Sequence, residues 1–259
     1  MERDIRINIY LWFVMITGFF LFTLPFIPLL LQINYSEFIN IITFSEVRTT
    51  IILSIITAIV STIIALFLGL GIAYTLAFWD FPFKQVIDTF STLPMVLPPS
   101  VAGYLLLMTF GRFGLLGKPI LSYFGVTIMF STYAIVLAQV FVVTPFVFTS
   151  TKSAFLDIHP NQIKAASTLG ADSFQILKEI ILPLSKKGVM AGAIMAFARA
   201  IGEFGASVMV AGLLETMPIA IFNMAMGGHK DEANVIAFLL IIISFSMLFI
   251  FKQFIGEER

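Results

Sequence analysis

The sequence predicts an all-α, polytopic membrane protein with about six transmembrane helices, and three observations predict it. Only 12% of the 259 residues are charged while 59% are hydrophobic, whereas soluble domains carry roughly 25% charged residues. The mean hydropathy is +1.02. The few charges are spaced so that they separate long uncharged stretches, each with the roughly 20 residues that a bilayer helix requires. The formal net charge of +0 gives no reason to expect a nucleic-acid partner or a polybasic membrane patch. With no cysteine and only His159 and His229, the chain has neither disulfides nor thiolate nucleophiles, and too few histidines for a metal cage.

Five spans follow from the uncharged stretches 7–36, 49–79, 89–111, 119–151 and 233–251. A sixth, 188–214, follows if Arg199 and Glu203 lie inside it. The first stretch is too long for a signal-peptide core and lacks a small-x-small cleavage site, so it is expected to stay as a helix. With a cytoplasmic N-terminus, Arg3, Arg6, Lys84, Lys152, Lys164, Lys178, Lys186, Lys187, Lys252 and Arg259 fall inside. Arg48, Arg112, Lys118 and Lys230 fall outside. The positive-inside rule therefore predicts that both termini are cytoplasmic and that 152–187 is the largest cytoplasmic connection.

Within that connection the local chemistry predicts two short helices around a turn. Pro160 suits a first helical position, Ala165 and Ala166 are strong helix formers, and Gly170 accepts the left-handed conformation that ends a helix. Asp172 with Gln175 makes a capping-box variant for a second helix, which Pro183 is expected to stop. The small Ala165, Ala166 and Ala171 leave a surface that a partner protein can approach closely; an interfacial amphipathic helix is the plainer alternative.

Along the spans, the prolines are the first irregularity. Pro94, Pro98 and Pro99 each remove an amide donor, so the third span is expected to be broken or kinked. Such a break fits either a discontinuous helix beside a transport pathway or a packing kink. Thr50, Ser54, Thr57 and Ser61 recur on one face of the second span, where hydrogen bonds between helices are a better reading than a pathway lining. Gly188 and Gly192 form a small-xxx-small pair that permits close helix packing.

The order Ala165-Ala166, Leu169-Gly170-Ala171, Phe174, Ile180 and Leu182-Pro183 resembles the cytoplasmic "EAA" loop of ABC importer permeases, with Lys164 where the family has its leading glutamate. "TLPMVLPPSVAGYLLL" from Thr92, "FGRFGLLGK" from Phe110 and "ARAIGEFGASVMVAG" from Ala198 resemble permeases of molybdate, tungstate and sulfate importers, most closely the molybdate type. The likeness covers about 48–251 and implies one permease domain, 1–259, in the cytoplasmic membrane. It further implies a homodimer, two ABC ATPase subunits that bind ATP and Mg, and an extracytoplasmic oxyanion-binding protein. By the same likeness Lys164, Ala165, Ala166, Leu169, Gly170 and Ala171 form the ATPase-docking segment, and Pro94, Pro98, Pro99 and Ser100 border the pathway.

Arg199 and Glu203 complete the pathway set. Near a bilayer centre each costs on the order of 2.5–3.5 kcal/mol on insertion scales, so both must face protein or water and pair with each other or with a second subunit. The pair is either a structural ion pair or a device in which Arg199 offers passing positive potential while Glu203 prevents tight capture of an oxyanion. No glycine-rich phosphate loop and no HExxH motif are present. An energy source outside the chain is therefore expected; the alternative is an ion-coupled secondary transporter using Arg199 and Glu203.

Overall fold

The computed structural model describes residues 2–33 and 35–256. Met1, Asn34 and 257–259 lie outside the described residues, as do the side chains of Arg3, Arg6 and Lys252, so the expected cytoplasmic placement of both chain ends falls there. Among the described residues every regular element is helical. In order these are α1 (Glu2–Thr23), α2 (Phe26–Gln32), α3 (Tyr35–Thr43), α4 (Ser45–Phe78), α5 (Lys84–Val96), α6 (Pro99–Phe110) and α7 (Gly117–Phe124). Then follow α8 (Thr132–Leu156), α9 (Pro160–Thr168), α10 (Ser173–Ile176), a π turn (Leu177–Ile181), α11 (Leu182–Ile201), α12 (Gly205–Val210), α13 (Met217–Gly227) and α14 (Lys230–Gly256).

Among the described residues four helices are long and apolar enough to cross a membrane, and the total reaches 6 if each of two bent pairs counts as one span. The third expected span is the sharpest of these: α6 turns by 115° from α5, so the prolines make a V rather than a kinked rod. The first span also breaks, by 40° between α1 and α2, where Pro25 cannot donate into the helix. The expected span 119–151 divides into α7 and α8, because Gly125 ends α7 in the left-handed conformation and Ser131 caps α8.

Pro183 does not stop its helix. The preceding turn widens into a π turn, in which the Leu182 N–H donates to the Leu177 carbonyl, and this wider turn accommodates the donor that Pro183 lacks, so the helix continues into α11. Residues Ser173–Ile201 thus form one helical rod of 29 residues. Residues 152–156 of the expected connection 152–187 close α8, and 182–187 open α11.

The body is built on α8, which packs against α4 and α11. Small residues allow the close approach: a Cβ on Gly69 of α4 would lie 2.8 Å from the Val147 Cβ of α8, and one on Gly192 of α11 would lie 3.0 Å from the Val147 Cα. Gly188 meets Ala154 in the same way, and the Ser150 hydroxyl donates to the Gly188 carbonyl at 2.8 Å, so the small-xxx-small expectation holds.

The hydroxyl face of α4 is buried, as expected for packing. Gln139 of α8 joins three helices there: its Oε1 accepts from the Ser61 hydroxyl at 2.9 Å, and its Nε2 donates to Thr57 Oγ1 at 3.4 Å and to the Ala200 carbonyl at 3.1 Å. The Ser54 hydroxyl accepts from the Met217 N–H at 2.6 Å, which satisfies the start of α13. At about 0.6 kcal/mol per interhelical bond in membranes, Gln139→Leu is expected to destabilise the fold by about 2 kcal/mol, read as a lower midpoint in thermal unfolding in detergent.

Candidate functional site

The expected sixth span ends early, at Ile201, and the break places its charges. Gly202 follows α11, and α12 begins only at Gly205. Arg199 therefore lies in the last turn of α11, where a cation favours the helix dipole, and Glu203 lies beyond the helix end. This corrects the expectation that both charges lie inside one continuous span, 188–214. One carboxylate oxygen of Glu203 pairs with the Arg199 guanidinium, and the other accepts from the Ala206 N–H at 2.7 Å, capping α12. The two side chains differ in exposure, 32% for Arg199 and 0% for Glu203. Glu203 is thus an internal anchor, and only the arginine reaches open space.

The break in the V sits directly against this junction. A Cβ on Gly205 would lie 2.7 Å from the Pro99 Cβ and 3.2 Å from the Ser100 nitrogen. Further along, a Cβ on Gly103 would lie 2.7 Å from the Ala206 carbonyl oxygen and 2.8 Å from the Met209 Cβ, so α6 and α12 run side by side in near backbone contact. The structure brings together Pro99, Ser100, Arg199 and Glu203 from the expected pathway set. Ser100 and Pro98 are exposed at the start of α6, whose first turn carries the positive end of the helix dipole. Pro94 lies inside α5, on the other arm. Gly103 and Gly205, which allow the contact, were not singled out in the sequence. Their signal was that each falls in a quoted motif, the one from Thr92 and the one from Ala198, but only the fold pairs them.

The docking segment follows its local signals closely. Pro160 opens α9, Gly170 has φ 89°, and Asp172 and Gln175 form the reciprocal capping box. Phe155 at the end of α8 and Ile158 just beyond it share one apolar cluster with Ala166, Ile176 and Ile181, which joins α8, α9, α10 and the π turn. Ala166 is therefore turned inward, into this cluster. Lys164, Ala165 and Gly170 are exposed and Ala171 is half-buried. Leu169 and Phe174 flank the turn at 89% and 69% exposure, a costly display for a surface left in water.

A groove of about 1070 Å³ opens between α4, α5 and the π turn, lined by residues that include Phe67, Trp79, Asp80 and Leu182. Its lining carries an acid and no cation, the wrong chemistry for an oxyanion.

These features define a multi-pass helical membrane protein with a charged junction between broken helices and a separate exposed turn at Gly170. The chain belongs to the family described as "Binding-protein-dependent transport system inner membrane component", whose pattern matches residues 65–256. It is 34% identical over 233 residues, 88% of each chain, to the molybdenum transport system permease protein ModB of Mycobacterium bovis. It is 36% identical over 202 residues to the ModB protein of Haemophilus influenzae, covering 76% of this chain and 88% of that one. The fold matches a bacterial ABC transporter involved in import of the acidic polysaccharide alginate, with TM-score 0.74 and 13% identity over 99% of this chain and 98% of the other. The protein is therefore an inner-membrane transport subunit with the ABC importer permease fold.

Proposed function

We propose that this chain is the transmembrane subunit of an ATP-driven oxyanion importer, with molybdate as the substrate and tungstate or sulfate as chemically close competitors. The observation that carries the reading is the single rod Ser173–Ile201, which links the exposed docking turn to Arg199. At 1.5 Å per residue it spans about 40 Å, so a push at the turn arrives at the charged junction. The names of the relatives support molybdenum as the cargo element.

In this reading two copies frame the pathway, two ATPase subunits bind ATP and Mg and hydrolyse the nucleotide, and an extracytoplasmic binding protein delivers the anion. Lys164, Ala165, Leu169, Gly170 and Ala171 meet the ATPase, with Ala166 supporting them from beneath, and both termini are cytoplasmic. Arg199 and the N-terminal end of α6 at Pro98, Pro99 and Ser100 offer positive potential to a dianion. Glu203 holds the arginine in place and limits its net pull. Pro94 shapes the neighbouring arm.

Proteoliposomes containing the permease, its ATPase and its binding protein are expected to accumulate labelled molybdate only when ATP is supplied. Uptake by the permease alone, driven by an ion gradient, would overturn the reading in favour of a secondary carrier.

A further inference from the structure

The arm α5 has no buried residue, although it leads directly into the proline break. Its hydrogen bonds are local with one exception: the Thr89 hydroxyl donates to Gln85, the Thr92 hydroxyl to Asp88 and Thr89, and Lys84 to Asp80. The exception is Asp88, whose carboxylate accepts from Lys152 Nζ of α8 at 2.6 Å across 64 residues of sequence. Lys152 lies over Phe148, a fully buried ring one turn back on α8 whose centroid is 5.6 Å from Nζ. Lys152 also stands on the helix end whose Phe155 packs with Ala166, Ile176 and Ile181, so it moves as one body with the docking segment.

We propose that the Asp88–Lys152 ion pair is a coupling latch that makes the arm α5, and through it the proline break, follow the docking segment during the transport cycle; this rests on the ATP-driven reading above. A half-exposed pair contributes little stability. Its value is positional: with no buried side chain on α5, the ion pair sets which turn of α5 faces which turn of α8. The force then has two routes from the docking turn, the rod to Arg199 and the latch to Pro94 and Pro98, and the two routes rejoin where Pro99 touches Gly205.

The test uses the full assembly with Asp88→Lys, Lys152→Asp and the exchanged double variant. Each single is expected to lose about tenfold in ATP-driven molybdate uptake while ATP hydrolysis continues, a coupling effect of ordinary size. The double is expected to recover most of the uptake. Singles that transport like the parent would overturn the latch. A second measurement does not depend on transport: the chain has no native cysteine, so spin labels at Gln85→Cys and Ser153→Cys report the spacing of α5 and α8. Asp88→Asn is expected to broaden and lengthen that distance, and an unchanged distribution would also overturn the proposal. If the parent assembly shows no ATP-dependent uptake, the transport reading fails by itself and the label distances still decide the latch.

Discussion

Glu203→Leu is expected to destabilise the protein by about 3–5 kcal/mol, because it leaves the Arg199 guanidinium without its partner and the Ala206 N–H without its cap. Arg199→Met is expected to be similarly costly, since it strands a carboxylate that is 0% exposed. From the sequence alone, removing both charges should restore stability. The structure changes that expectation: with Glu203→Leu in the pair, the start of α12 still lacks its acceptor, a loss of about 1–3 kcal/mol. Arg199→Met with Glu203→Gln keeps an oxygen for Ala206 and buries no charge, so although its amide nitrogen loses the arginine side it is the variant expected to fold better than either single. Thermal unfolding in detergent and ATP-driven uptake, measured on both singles and both doubles, separate stability from transport. A stable Met/Gln variant without uptake puts Arg199 on the path. Full uptake by that variant would reduce the pair to architecture.

Gly170→Val is expected to abolish transport while the permease still inserts and folds. The residue sits at φ 89°, which a β-branched side chain strongly disfavours, yet a Cβ there would meet nothing within 4 Å. The strain must therefore be relieved by reshaping the turn between α9 and α10, not by unpacking the body. Leu169 and Phe174 would then lose their common presentation, and the ATPase should fail to co-purify. Normal retention of the ATPase by a well-expressed variant would count against this turn as the contact. Gly170→Ala is expected to fall between the two, because a left-handed alanine costs about 1–2 kcal/mol.

The docking turn was legible in detail because its signals act within one or two helical turns. A proline at the first position, a glycine after the last, and an aspartate three residues before a glutamine settle local hydrogen bonds, whatever lies around them. Pro183 misled for a related reason. Read locally, it stops a helix; in the fold, the π turn before it supplies the slack that lets the helix continue. The hydroxyl face of α4 was legible as an inward face from its spacing, but Gln139, its partner, was simply one polar residue in a long apolar stretch.

By itself, the sequence determined that the chain is a helical membrane protein, where its apolar segments lie, and the capping of the turn between α9 and α10. Burial in lipid depends on composition over about 20 residues, and capping on neighbours three or four residues apart. Only the tertiary structure decided that the third span is a V, that α10, the π turn and α11 are one rod, and that Glu203 is buried while Arg199 is not. It alone set Pro99 against Gly205 and Asp88 against Lys152. An apolar stretch is equally apolar straight or folded back; which it becomes is chosen by where backbone can approach backbone and by where each freed donor and buried charge finds a partner, and those partners lie tens of residues away in the chain.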